Sequence, residues 1–171
     1  MPLTPSGIYY ADTSTTLSIA DITAAMATSI GTAMKFVQVV EAKYSLAVSN
    51  STTTYTPTGL SATITPKYAT SKILVIVNQN GVGKGTGNLN SGVWLRLVRN
   101  GTSLSEFACN YFNNQVSQQQ IGQASTIQFD SPNTTATTTY TTEFKNNVAA
   151  ASVSCQNYNS VSSMILIEIA A

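Results

Sequence analysis

Charge is what this chain lacks most. Asp, Glu, Lys and Arg together make up 9% of its 171 residues, against roughly 25% in an ordinary soluble domain. The 8 Lys and Arg nearly balance the 7 Asp and Glu, giving a net charge of +1. The cations are scattered and form no basic run. Nucleic-acid binding rests on clustered cations that displace phosphate counterions, so no nucleic-acid partner is expected. Histidine is absent, which removes the commonest general base and the commonest metal ligand. The two cysteines, Cys109 and Cys155, have neither metal nor redox spacing. They read as small buried hydrophobes, and a disulfide stays open should their strands be neighbours. No metal and no cofactor is expected. No run approaches the roughly 18 apolar residues of a transmembrane helix, so membrane insertion is not expected. Met1-Pro2-Leu3-Thr4-Pro5 has neither the positive nor the apolar region of a secretory signal, which implies synthesis in a cytoplasm without export by that route.

Catalytic constellations are missing too. Asp12, Asp21, Glu41, Glu106, Asp130, Glu143 and Glu168 are spread one per element, and no spacing pairs two of them as glycoside hydrolysis requires. Gly81-Val82-Gly83-Lys84-Gly85-Thr86-Gly87 fails the spacing of a phosphate loop and reads as a flexible connection between strands. No catalytic residue is assigned. A glycan-degrading enzyme is the one catalytic reading left, should distant carboxylates meet in the fold.

What is there in plenty is neutral polarity. Thr, Ser, Asn and Gln make up roughly two-fifths of the chain, far above ordinary usage. Hydrophobic residues are 43%, enough for a core. A neutral amide- and hydroxyl-rich surface hydrogen-bonds well but resists self-association poorly, which suits a protein that assembles.

The pattern divides the chain at residue 34. Residues 1–34 read as an extended arm followed by one short helix, and 35–171 as a β-sandwich domain. In residues 1–17, Pro2, Pro5 and Gly7 break local structure. Ile8, Tyr9 and Tyr10 are three large side chains in a row, either on a loose tail or on a docking arm that packs against another subunit. Over 18–33, Ser18 can cap a helix and Asp21 favours its N-terminus. Ile19, Ile22, Met26 and Ile30 then form one stripe, whose partner is either the main domain or the same helix of sister chains.

From Lys35 the pattern is that of strands. Expected strands run over 35–44, 60–64, 72–77, 93–99, 102–108, 125–129, 137–145, 148–156 and 163–169. Lys72-Ile73-Leu74-Val75-Ile76-Val77 is a continuous apolar run, which reads as a central strand buried on both faces. Asn100-Gly101 is a type I′ hairpin signal. A simple two-residue hairpin places Leu97 opposite Leu104 and Trp94 opposite Phe107. Many short strands without interleaved helices predict an all-β, antiparallel, jelly-roll-like sandwich. On 93–99, Val93, Leu95 and Leu97 face the core. Trp94, Arg96 and the cross-strand Phe107 share the other face, as a second buried layer, a subunit interface or a platform for stacking sugars.

Three stretches resemble known proteins. Thr4-Pro5-Ser6-Gly7-Ile8-Tyr9-Tyr10-Ala11-Asp12, with Ile19-Ala20-Asp21-Ile22-Thr23-Ala24-Ala25-Met26-Ala27, is similar to N-terminal segments of bacteriophage tail-fibre-like proteins. Leu60-Ser61-Ala62-Thr63-Ile64-Thr65-Pro66 with Ser71-Lys72-Ile73-Leu74-Val75, and Phe129-Asp130-Ser131-Pro132 with the Thr-rich run to Tyr140, resemble a β-domain of phage fibre and virion proteins. The resemblance implies a virion structural protein made in the host cytoplasm. Its implied partners are itself, as a homotrimer, other virion proteins of tail or capsid, and a host surface glycan. The long repetitive shaft of a typical fibre is absent, which keeps a capsid decoration or cement protein as the alternative. Ile8, Tyr9 and Tyr10 are then the attachment residues. Ile19, Ile22, Met26, Ile30, Trp94, Arg96 and Phe107 are the expected oligomer contacts.

Deleting residues 1–17 is expected to leave a cooperative thermal melt of the β-domain and to abolish incorporation into particles. A truncated chain that does not fold would place the arm in the core instead.

Overall fold

The structure is a computed structural model, described for residues 35–86, 90–112, 118–149 and 152–170. Ile8, Tyr9, Tyr10 and the helix expected over 18–33 with Ile19, Ile22, Met26 and Ile30 lie outside the described residues. Ten strands are present among those described: β1 Lys35–Tyr44, β2 Val48–Asn50, β3 Thr56–Ile64, β4 Lys72–Lys84, β5 Val93–Arg99, β6 Thr102–Tyr111, β7 Gln120–Asp130, β8 Thr138–Asn146, β9 Val153–Cys155 and β10 Ser162–Ala170. The one helical segment among these residues is a 3-10 turn, Asn157–Asn159.

The strands form two antiparallel sheets that pack as a sandwich. One is ordered β3-β8-β5-β6. In the other, β1-β10-β4 runs on to β7 across the far edge of β4, while the short β9 and β2 continue beside the upper end of β4. With β2 and β9 set aside, eight strands fall into two four-stranded sheets with the crossed order of a jelly roll.

β4 is the longest strand, 13 residues, and it explains the glycine-rich stretch. Gly81 to Lys84 continue the strand and do not form the expected loop. The register shifts between Asn80 and Val82 on β7, a bulge at Gly81, which has φ 61. A Cβ at Gly81 would collide with the backbone of Asn157, so glycine is required there on two counts. Beyond the bulge the strand changes its neighbour from β10 to β9.

Alternation along the strands builds the core. Leu60, Ile64, Ile73, Val75, Val77, Leu97, Tyr140, Met164 and Leu166 form one buried cluster. Val82, Val93, Leu95, Phe144, Val153 and Cys155 form a second. Burying each such large aliphatic side chain contributes about 1.5–3 kcal/mol. The apolar run in β4 is not buried on both faces as expected. Ile73, Val75 and Val77 are buried, while Leu74 and Ile76 are only partly so.

Polar residues also lie inside, and they tie the sheets together. Thr142 Oγ1 donates to Gln79 Oε1 at 2.9 Å. Its single proton is thereby used, so Thr58 Oγ1 donates to Thr142 Oγ1 at 2.5 Å and accepts from the Leu60 amide at 3.2 Å. Ser162 Oγ accepts from Gln79 Nε2 at 3.0 Å and from the Asn80 amide at 2.9 Å. With both its lone pairs engaged, Ser162 donates its proton to the Gln156 side-chain oxygen at 3.0 Å, which sets the orientation of that amide. At one end of the sandwich, Arg99 Nη1 donates to both Asp130 carboxylate oxygens at 2.7 Å. The Tyr140 hydroxyl donates to Asp130 Oδ2 at 2.7 Å.

Glu168 makes a further tie. It is fully buried and accepts from Gln38 Nε2 at 2.6 Å, the Lys67 amide at 2.7 Å and the Tyr68 amide at 3.3 Å. It thereby pins the connection between β3 and β4. Burial alone pushes its carboxyl upward, but these hydrogen bonds to the ionised form outweigh that and hold it below its ordinary value. A lowered folded-state value means that Glu168 stabilises the fold above the unfolded-state value and loses that contribution as pH falls through the folded one. Glu168→Gln is expected to destabilise by about 1–3 kcal/mol near neutral pH. Its melting temperature should also fall less steeply than that of wild type on acidification below the ordinary carboxylate range. Calorimetric melts across that range check both, and parallel curves would rule out the linkage.

Candidate functional site

The outer side of the β3-β8-β5-β6 sheet carries a ridge of aromatic and charged side chains. Its foundation is the alternation on β5 and β8. Leu95, Phe144 and Asn146 point inward and are buried, which turns Trp94, Arg96, Glu143 and Lys145 outward, each half-buried. Cross-strand pairing sets Trp94 beside Lys145 and Arg96 beside Glu143. Arg96 also pairs with Glu106 on β6, so one row reads Glu143, Arg96, Glu106. The fold therefore brings two carboxylates to either side of one guanidinium, an arrangement that spacing in the sequence does not announce.

Tyr55 reaches the ridge from the loop before β3. Asn50 holds that loop: its Nδ2 donates to the Thr54 carbonyl at 2.9 Å and to the Phe144 carbonyl at 3.0 Å, while its Oδ1 accepts from the Thr52 amide at 2.8 Å. The Arg96 guanidinium lies 3.9 Å from the Tyr55 ring centroid. Lys145 Nζ lies 4.7 Å from the Tyr55 centroid and 5.0 Å from that of Trp94, so its ammonium is shared between two aromatic rings. Arg96 Nε donates to Glu143 Oε2 at 2.8 Å, and Nη2 lies 2.6 Å from the same oxygen. The Tyr55 hydroxyl donates to Glu106 Oε1 at 2.6 Å. Burial first, and then the hydrogen bond to Glu106 and its charge, push the Tyr55 phenol well above its ordinary value.

Bulges on β6 shape the other border. The pairs Val93–Tyr111, Leu95–Ala108, Arg96–Glu106, Leu97–Ser105 and Val98–Ser103 show β6 gaining a residue at three places. The hairpin itself is as expected, with Asn100 at φ 47 and Gly101 at φ 82 between Arg99 and Thr102. The bulges nevertheless break the simple register: Leu97 does not face Leu104, and Trp94 does not face Phe107. Phe107 is a bulge residue that packs against both core clusters, so it is not on the outer face with Trp94. Opposite Trp94 stand Cys109 and Asn110. Trp94 Nε1 donates to Asn110 Oδ1 at 3.3 Å.

Cys109 and Cys155 are both free. Cys155 is buried in the core, where burial pushes its thiol up. Cys109 is exposed on the outer side of the opposite sheet and donates to Glu106 Oε2 at 3.6 Å. The disulfide left open by the sequence is not formed.

The arrangement can do one kind of chemistry. It offers a half-exposed indole, an ammonium, a guanidinium and carboxylates to a ligand with flat apolar faces and hydroxyl edges. Both carboxylates are already held by donors: Glu143 by Arg96, Glu106 by Tyr55 and Cys109. Of the ridge residues, Trp94 and Arg96 were singled out by residue type and alternation. Tyr55, Glu106, Asn110, Glu143 and Lys145 were not, since a loop tyrosine and single charges on strands carry no signal before the register is known. No protein-family model matches this chain, and no curated protein matches it.

The Cys109 thiol is pushed up by burial, by its hydrogen bond to Glu106 and by that carboxylate's charge. A soluble disulfide reagent should therefore modify one cysteine in the native protein and two after denaturation. Glu106→Gln should speed the native reaction several-fold near pH 8, since the rate follows the thiolate fraction. An unchanged rate would remove Glu106 as the restraining group.

Proposed function

We propose that this chain is a structural protein of a bacteriophage virion, a short fibre or fibre-like appendage. It is attached by residues 1–34, displays its β-sandwich outward, and acts by binding and not by catalysis. The observation that carries the reading is the Trp94–Tyr55–Lys145 ridge on the outer side of one sheet of the jelly roll. Strand-borne side chains locked by cross-strand partners make a preorganised contact surface. The ligand that suits it is a host surface glycan. A pyranose ring can lie on the indole, while Lys145 and the Asn110 amide meet its hydroxyls. Jelly rolls recur in viral capsid and lectin domains, which is support at the level of fold alone. The N-terminal and strand motifs that resemble tail-fibre-like proteins support the virion part of the reading. They also supply the count of three for the oligomer.

The intact protein is expected to bind host surface polysaccharide in a pull-down without releasing reducing ends. Trp94→Ala is expected to lower that binding roughly tenfold or more while its melt stays cooperative. Sustained turnover of polysaccharide by purified protein would overturn the non-enzymatic reading. Labelled protein found on the head lattice of an intact virion, instead of at the tail, would replace the fibre with a capsid decoration protein.

A further inference from the structure

The solvent side of the other sheet is apolar across four strands. Directly opposed residues in a sheet share a face, so the register lays out its rows. Val39, Ile167, Leu74 and Phe129 form one row; Glu41, Ile165, Ile76 and Ile127 form the next. Val39 is 62% exposed, Ile127 68% and Phe129 55%. Leu74, Ile76, Ile165 and Ile167 between them are partly exposed. Phe36, 67% exposed, pairs with the buried Ile169, and this next row runs on to the exposed Lys72 of β4, where the apolar face ends. The one charged group in the two rows, Glu41, is paired with Lys43 at 2.9 Å. The face ends at a third row, Lys43, Ser163, Asn78 and Ser125, which is polar.

We infer that this face is the surface through which copies of the chain associate, so that its occupant is the same face of a second copy. Three arguments select a copy over another partner. First, a second copy is matched in charge: the two central rows hold no unpaired charge for an ionic partner to recognise, Lys72 and Lys43 standing only in the rows that flank them, and a net charge of +1 on the whole chain gives little repulsion between copies. Second, the patch suits it. Phe36, Val39, Ile127 and Phe129 are each more than half exposed and lie on one face, a contiguous apolar patch of the kind that marks an interaction site and not the scattered apolar residues of an ordinary surface. Third, the face is flat and mostly β-branched, the form in which sheets pack face to face about 10 Å apart. A two-fold pair of such faces hides both without open-ended growth.

This deepens the oligomer part of the reading above, with a two-fold contact in place of the count of three that the resemblance supplies, and is independent of the virion and glycan parts. It also moves the contact from the face that carries Trp94 and Arg96 to the opposite sheet.

The test uses the full chain at micromolar concentration, with mass measured by sedimentation. Wild type is expected to be a closed oligomer, and Val39→Glu with Ile127→Glu is expected to be monomeric. Both sites are exposed, so the variant's melt should stay cooperative. Tyr158→Glu, at a site 76% exposed and off this face, should leave the oligomer intact. Cross-linking supplies a second measurement that does not depend on the charged variant folding. In a Cys109→Ser background, Val39→Cys and Ile127→Cys stand three strand spacings apart, about 14 Å within one copy, too far for an internal bridge. Mild oxidation should therefore link them between copies. A monomeric wild type, an oligomer untouched by the two glutamates, or the absence of intermolecular bridges would each overturn the proposal. Loss of glycan binding with these results intact would count against the glycan reading alone.

Discussion

The hydrogen bond from Thr142 to Gln79 is the constraint on which the sandwich turns. It joins β8 of one sheet to β4 of the other in the middle of a core where an unmatched polar atom costs about 1–3 kcal/mol. A chain so poor in charge has few ionic groups with which to fix how two sheets lie on each other. Hydrophobic burial is non-directional and would tolerate a slip of one sheet over the other. The relay Thr58, Thr142, Gln79, Ser162, Gln156 is directional, and each member's proton is assigned by its neighbour's. It touches β3, β8, β4 and β10 and ends beside the irregular turn that packs on Gly81. A slipped packing leaves several of these groups unmatched at once. The core clusters supply the bulk of the stability, and the amide and hydroxyl relay specifies one arrangement.

The jelly roll was legible because its signals are local and repeated. Alternation on Leu60, Ala62 and Ile64, the Asn100-Gly101 turn, and the alternation around Tyr140 and Phe144 each need only a short window of sequence. What was not legible depended on pairings between distant segments. β6 gains residues at Leu104 and Phe107, and no property of those side chains distinguishes a bulge from a regular strand position. The hairpin therefore departs from the simple two-residue register beyond its first pairs, and Phe107 packs on the core and not on the outer face. Glycine weakens a strand on its own, so Gly81-Val82-Gly83-Lys84 has the local pattern of a loop. Tertiary pairing with β7 and β9 on both edges overrides that weakness, and Gly81 is needed for the change of neighbour. Of the ridge, only Trp94 and Arg96 could be named early; the roles of Tyr55, Lys145 and Glu106 exist only once β3, β8 and β6 are side by side.

Lys72–Val77 is apolar on both faces and fully buried on only one. Ile73, Val75 and Val77 meet the core, and Leu74 and Ile76 meet solvent, yet both sets are aliphatic. The same holds on β10, where Met164 and Leu166 face inward while Ile165 and Ile167 face outward. A strand covered by its own chain and a strand covered by another copy have the same composition, because water is excluded from both in the state in which they work. Hydrophobic periodicity reports that a face is to be covered and is silent on what covers it. The expectation of burial and the observation of exposure agree if the missing cover is another molecule.

That distinction assigns the two outer faces of the sandwich different work. On one sheet the outward charges Arg96, Glu143, Lys145 and Glu106 are concentrated in a chain with few to spare, and they are interleaved with Trp94 and Tyr55. On the other sheet, the two central rows hold one charge, at their border and already paired. This placement leaves one sheet chemically specific at its ridge and the other apolar across its two central rows, with Lys43 and Lys72 in the rows that flank them. The sandwich holds the two faces back to back, because the relay through Gln79 and Thr142 fixes the sheets that bear them. An oligomer formed through the apolar sheet would therefore turn every copy's Trp94 ridge outward. It would multiply a weak single-site contact by the number of copies, the arrangement in which avidity exceeds the affinity of any one site.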